Sequence, residues 1–594
     1  MAQSKALRLE WLPAVALSSA LAALMLAWNP QVGDLAAQVF RAELFERAGL
    51  AIWNGGWYGG HYTLTYSVLF PPLGSILGPQ AVGMASVVAS SHLFDRLVRD
   101  RWGAAARWAT LWFAAGVVTL LADGQLTFAL GVAFALASLR ALQVGKSKLA
   151  FLAAAACALS SPVAAVFLAG VLLAGASGSA VDLNVLFRGW RGGSGKGESG
   201  VPVSARRPAF RTAHSAREAT RKAKSPARVR DTRLSPLRDG SRDAAVWAAS
   251  IALALTLVPN IVFPGPGEFP FAFSSYVAIP LWCGSALFVI RGLEEERQLR
   301  WVLAGYLLAS TAIWLLPNAM GGNAVRLGAL FGGPVLAAVV LTRRPRVAPW
   351  FLALFMVGGL YWQLTASVAQ IARSVGDPST KAAYFQPATQ WLRAHGAEGM
   401  RIEVPPTANH WESAYLASDF DLARGWLRQL DTTREAIFYR QDGRLGHAAY
   451  GAWLRENAIS YVALPDAPLD YSSVAERRLI LSEPAYLDLR WASPHWRIYA
   501  VGDPKPLVEP VGAAAAEVRW VGRQGFALNV TRPGEFLVRV NFTPYWSIAR
   551  GEGCLLRRGD WTLARASRLG VFRVNANFSL TRAWNAATGA RKTC

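Results

Sequence analysis

Cysteine is scarce in this chain, with four in 594 residues, too few for a disulfide framework. Cys157 and Cys283 fall in apolar segments, which leaves Cys554 and Cys594 to pair outside the cell. Histidines number seven, and none stands in a cluster of zinc-binding spacing. A nucleotide phosphate loop is missing as well. The stretch "GPGEFPF" (265–271) lacks the Lys-Ser/Thr ending and follows no strand, while "GKGESG" (195–200) lies in a linker. Acidic residues are outnumbered 38 to 61 by Lys and Arg, giving a formal charge of +23. In a soluble protein that excess would suggest nucleic acid. Here the basic residues flank apolar segments and read as cytoplasmic anchors, so no nucleic-acid partner is expected.

What is present is apolar surface: 53% of the residues are hydrophobic and the mean hydropathy is +0.25. Stretches such as "WLPAVALSSALAALMLAW" (11–28) and "WFLALFMVGGLYWQLTASVAQ" (350–370) approach the roughly 20 residues that cross a hydrocarbon core. They stop near residue 370. The first has no small-residue cleavage pattern after it and reads as a retained helix. Basic anchors at Lys5, Arg8, 95–107, 140–148, 188–242, 291–300 and 342–346 order the crossings. Lys148 and Arg188 both read as cytoplasmic, yet one apolar stretch of about 30 residues separates them, interrupted at Ser160, Ser161 and Pro162. A hairpin of two short helices settles the count, with a cavity expected beside the break.

The expected architecture is a multispanning α-helical membrane domain of about eleven segments (1–370), followed by an external α/β region (371–505) and a C-terminal β-sandwich (506–594). The first external loop runs over 29–63. The Gly, Ser, Pro and Arg-rich linker 188–242 is expected to be disordered and cytoplasmic, a solvated tether that also enforces topology, the alternative being attraction to anionic headgroups. Strands are read at "RIEVPP", "ISYVALP" and "HWRIYAVG", then at "EVRWVGRQGFALNV", "GEFLVRVNFTPYWSIA" and "GVFRVNANFSL".

Titratable and aromatic residues crowd the first loop: Asp34, Arg41, Glu43, Glu46, Arg47 and His61 stand among Trp53, Trp57, Tyr58 and Tyr62. The plainest role for Asp34 is to cap the next helix. The aromatics are read either as sugar-stacking faces or as a membrane-interface belt. His61 reads as a hydrogen-bonding structural residue. Later in the chain, "GGNAVRLG" sets Arg326 behind Gly321, Gly322 and Asn323, where backbone N–H groups at a helix start suit an anion; the alternative is an Arg snorkelling to headgroups. Asp123 and Gln125 lie on the same expected side. The group His410, Glu412, Asp419 and Arg424 is read mainly as structural.

A Gly-Asp pair after the first helix, an amphipathic external helix, the Gly and Trp-rich "AGLAIWNGGWYGGHY" and the entry "TYSVLFPPL" resemble the C-type glycosyltransferase (GT-C) superfamily of polytopic membrane enzymes. "DGQLTFALG" (123–131), "MGGNAVRLGALFGGP" (320–334), "HWESAYLA" (410–417) and "FTPYWSI" (542–548) are more similar to a bacterial branch labelled "6-pyruvoyl-tetrahydropterin synthase-related". That label concerns a His-zinc enzyme for which no His cluster is present. The superfamily resemblance implies a cell-membrane, multi-pass glycosyltransferase with its C-terminal part extracytoplasmic. Its donor would be a polyprenyl-phosphate-linked sugar and its acceptor a glycan, lipid or protein. The resemblance places Asp34 at the catalytic centre, as general base toward the acceptor or as an orienter of a metal or of the acceptor. Substrate contacts fall to Arg41, Trp53, Trp57, Tyr58, His61, Tyr66, Asp123, Asn323 and Arg326. Leu35 follows Asp34 where several families carry a second acid, so no metal ligand is assigned and a divalent metal is left open. A lipid or glycan flippase and a noncatalytic glycan-binding envelope protein are the competing classes. No convincing internal repeat favours the flippase.

Overall fold

A computed structural model describes residues 12–177, 239–265, 267–440 and 443–593. The basic stretch 188–242 lies outside the described residues apart from 239–242, which open helix Asp239–Val262. Six described helices are long and apolar enough to cross a membrane: Ala104–Ala122, Leu126–Gln143, Arg242–Val262, Phe273–Ile290, Gly321–Arg343 and Pro349–Ser374. Two further pairs pass that test only when joined, and both are sharply bent. Leu12–Trp28 meets Gly33–Ala48 at 81°, and Phe70–Leu77 meets Pro79–Trp102 at 112°. The described residues therefore hold six to eight candidate spans rather than about eleven.

Length explains part of the difference. The apolar stretch after Lys148 divides into Ser147–Ser160 and Pro162–Ser177, of 14 and 16 residues. At about 1.5 Å per residue neither alone reaches across a core of about 30 Å. The break falls where proline predicts it, but the cavity expected there is filled by protein. The Leu159 carbonyl, freed by the break, accepts the N–H groups of Val68 at 2.8 Å and Leu69 at 3.0 Å. Ser160 and Ser161 are 0% and 4% exposed. Ser161 packs so tightly on Gly131 that a Cβ there would meet it at 2.8 Å.

Beyond the last span the chain builds a five-stranded mixed sheet in the order Asp421–Leu422, Arg401–Glu403, Ile459–Pro465, Trp496–Val501, Leu487–Ala492. The first three strands run parallel and the last two join antiparallel. Two four-stranded antiparallel sheets follow. One has the order Trp546–Arg550, Gly570–Ala576, Gly525–Arg532, Ala515–Gly522, and the other Gly553–Arg558, Trp561–Ala566, Gly534–Asn541, Val508–Val511. Their facing sides close over Phe526, Leu528, Phe536, Val538, Trp546 and Phe572, the alternation that a sandwich core requires. Cys554 is disulfide-bonded. Its expected partner, Cys594, lies outside the described residues, although the bond from Thr593 N–H to the Leu555 carbonyl brings the tail alongside.

The first loop holds these parts together. Trp53–Asn54 pairs with His61–Tyr62 as a short hairpin, and Trp53 enters the sandwich core edge-on to Trp546 at 5.6 Å. Trp57 stacks on Phe40 at 4.0 Å and bridges to Leu422 at the edge of the mixed sheet. Gly425 is needed opposite it, since a Cβ there would lie 2.4 Å from the indole.

Candidate functional site

Asp34 lies in the first turn of helix Gly33–Ala48, but it is not the cap: Val32 holds that position in an extended conformation, with no side-chain cap bond. The exposed N–H groups of a first turn favour a carboxylate. Its side chain keeps 28% exposure, recessed but open to water, with Arg326 Nη2 at 4.0 Å from Oδ2. The turn carrying Asp123 presses against this helix start. Gly124, at φ +71°, makes that approach feasible, because a Cβ would fall 2.5 Å from the Leu35 nitrogen. Asp123 itself is 6% exposed with Oδ1 unpartnered. Burial, reinforced by the charge of Asp34 and opposed by Ser367 and Arg326, pushes its carboxyl up to about 7.

Helical spacing adds two more side chains to the Asp34 face, Gln38 at i+4 and Arg41 at i+7. Gln38 is 1% exposed, with Oε1 unpartnered. Arg41 lies 3.7 Å over the Tyr66 ring and donates to the Ala37 carbonyl at 3.3 Å. The position of Gln38 on this face follows from its spacing, but nothing in its own neighbours marks it.

Arg326 reaches the same recess from the short helix Val325–Leu327, just before a π-helical segment, Gly328–Gly332; such segments recur at functional sites. The backbone before it does not supply the anion site that its glycines suggest. Gly321 N–H donates to Asn318 Oδ1 at 2.8 Å, Gly322 N–H to the Pro270 carbonyl at 3.2 Å and Asn323 N–H to Met320 at 3.0 Å. Asn323 is 8% exposed. The Arg326 guanidinium remains the positive group on offer here. The neighbouring "GPGEFPF" loop rests on helix Arg428–Arg434, where Thr432 Oγ1 donates to the Glu268 carbonyl at 2.7 Å.

The mixed-sheet region supplies a third wall that sequence reasoning assigned to structure. Asn409 packs its backbone on Gly33, 3.5 Å from where a Cβ would stand, and Trp411 Nε1 donates to the Gln31 carbonyl at 3.0 Å. His410, at φ +55°, stacks on Trp426 with ring centroids 3.5 Å apart. Its Nδ1 lies 3.5 Å from Glu412 Oε1 and its Nε2 3.4 Å from Asp470 Oδ2. Arg428 clasps Asp470 through two bonds, at 3.1 and 2.7 Å. Burial pulls the His410 imidazole down, but the carboxylates of Asp470 and Glu412 outweigh it and raise its pKa. For Asp34, burial raises the pKa against the pull of Arg326, His410, Arg41 and Arg428. The rest of that sequence cluster separates. Asp419 pairs with Arg393 at the surface, and Arg424, 3% exposed, is locked to Asp431 and Glu476.

The aromatic residues of the first loop are buried within protein rather than set out as a belt at a membrane surface, with Tyr58 and His61 close enough to Arg41 to feel its charge. Trp53, Trp57 and Tyr58 are 2%, 0% and 4% exposed, and the Tyr58 hydroxyl donates to the Gly425 carbonyl at 2.5 Å. His61 stacks on Trp57 at 5.5 Å. Burial, with Arg434 and Arg41 nearby, lowers its pKa to about 3, so it stays neutral. These rings pack the loop against domains hundreds of residues away, a burial that local sequence does not encode. Tyr66 is half-buried beneath Arg41. Among the described residues no group of three or more His, Cys, Asp or Glu side chains could hold a metal ion. Arg326, His410, Arg41 and Arg428 all act on Asp34 as positive charges, and Asp123 is the second carboxylate beside it.

No family model and no curated protein matches the chain. Among solved structures it is similar to the arabinofuranosyltransferase AftD from Mycobacteria, with 18% identity and a TM-score of 0.41. The match covers 84% of this chain and 40% of that one, so the chain spans well under half the length of that protein. A likeness at this level says nothing of what the chain binds or turns over.

Proposed function

We propose that this chain is a membrane glycosyltransferase of the GT-C kind, passing a sugar from a polyprenyl-phosphate donor to an extracytoplasmic glycan, lipid or protein hydroxyl. One observation carries the reading: a water-accessible carboxylate with no protein hydrogen bond among the described residues stands 4.0 Å from Arg326. Asp34 takes the proton of the acceptor hydroxyl as its oxygen bonds to the anomeric carbon. The bond from that carbon to the phosphate oxygen breaks, and its electron pair leaves with the polyprenyl phosphate. Attack from the opposite face inverts the anomeric centre. Arg326 and Arg41, neither hydrogen-bonded to a carboxylate among the described residues, receive the phosphate charge. The donor's isoprenoid tail remains in the bilayer, which is the reason for placing this chemistry among membrane helices.

The test uses purified protein in liposomes with a labelled polyprenyl-phosphate sugar. Asp34→Asn abolishes transfer while the protein still binds donor. Arg326→Ala weakens donor binding about ten- to a hundredfold, the loss of one charge-assisted contact of about 1.5–3 kcal/mol. Full turnover by D34N would remove the mechanism. Lipid flipping with no glycosidic bond formed would replace it with transport.

A further inference from the structure

The C-terminal helix Leu580–Ala587 carries a surface that the site does not use. Ser579 caps it by accepting the Arg582 N–H at 3.2 Å. Its inner side sets Ala583 and Ala586 in a cluster with Tyr545, Phe263 and Val262. Its outer side leaves Leu580 and Trp584 82% and 71% exposed, with Phe578 just before it at 54%. The spacing from 580 to 584 keeps both side chains on one stripe. Exposed Arg591 and Lys592 follow.

The place of this stripe identifies what covers it. The helix packs on the end of Asp239–Val262, and the Tyr545 hydroxyl donates to the Val262 carbonyl at 2.8 Å. That span turns Leu257, Val258 and Ile261 outward at 55%, 54% and 57% exposure, as a lipid-facing surface does. The apolar stripe of the C-terminal helix thus lies at the end of a candidate membrane span, at the level where Trp and amphipathic helices with basic neighbours meet headgroups. We propose that helix Leu580–Ala587 lies in the headgroup layer of the bilayer that Arg242–Val262 crosses, pinning the β-sandwich to the membrane. The partner is lipid, and the inference is independent of sugar transfer.

Site-directed spin labelling tests it in the full chain. Cys157 and Cys283 are buried and Cys554 is disulfide-bonded, so Trp584→Cys adds the reactive thiol; Leu580→Cys serves as a second position and Glu517→Cys, exposed on the sandwich, as the aqueous control. The protein is reconstituted in vesicles of phosphatidylethanolamine and phosphatidylglycerol containing no other protein. Labels at 584 and 580 are expected to collide more with oxygen than with a water-soluble nickel chelate, reversing the ratio at 517. Nickel accessibility at 584 and 580 equal to that at 517 would overturn the proposal, the result expected if the stripe awaits a protein partner.

Discussion

Asp34 and His410 belong to different parts of the chain, yet His410 acts on the protonation of Asp34. Asp34 has a pKa above its ordinary 3.8, raised by burial and restrained by the positive groups around it, His410 among them. Under the proposed role of Asp34, transfer that needs the ionised carboxylate rises with pH along a limb displaced upward from the ordinary carboxylate range. His410 has its own pKa raised above 6.5, so it is charged across that limb. His410→Gln removes one restraining charge and is expected to move the acidic limb of the pH–rate profile to higher pH, by up to about one unit for a single partly screened charge. An unmoved limb with unchanged turnover would deny His410 this role. The position of Asp34 was legible as a carboxylate after an apolar run, and that of Arg326 as a lone cation in apolar surroundings. Their 4.0 Å separation was not, because it depends on how distant helices pack.

At the level of elements, the hairpin Trp53–Asn54 with His61–Tyr62 joins the first loop to the sandwich. Trp53 is 2% exposed and lies in the sandwich core, and Asn541 Nδ2 donates to the carbonyls of Tyr58 and Gly60 at 2.7 and 2.9 Å. Trp53→Ala empties a large packed site, and truncations of this kind cost about 3–5 kcal/mol. Thermal unfolding followed by near-UV circular dichroism should show the loss, while donor binding at the recess survives at temperatures below the new transition. The sequence marks these indoles as important but not for what. A Trp that packs against a domain some 490 residues onward looks the same as one in a membrane belt. Strands such as Ile459–Pro465 and Trp496–Val501 were legible from alternation. The split of the stretch after Lys148 into two short helices was legible from its proline, but composition alone does not tell whether a helix of 14 residues crosses. The C-terminal helix escaped notice because its stripe is carried by only two large residues.

Across the whole molecule, three parts converge on the first loop and on each other. Asn409 Nδ2 donates to the Arg373 carbonyl at the end of the last span at 3.1 Å and to Asp377 Oδ2 at 2.7 Å. The covalent path between the membrane helices and the mixed sheet passes through a short link where Val375 is 64% exposed and Gly376 turns at φ +79°. Among the described residues, packing and hydrogen bonds such as those of Asn409 and Trp411 join the two halves as well. A chain cut by a protease at that link is therefore expected to travel as a single species through size-exclusion chromatography in mild detergent and to come apart only in denaturant. Separation of the fragments without denaturant would show that the tether, not the interlocked surfaces, keeps His410 beside Asp34.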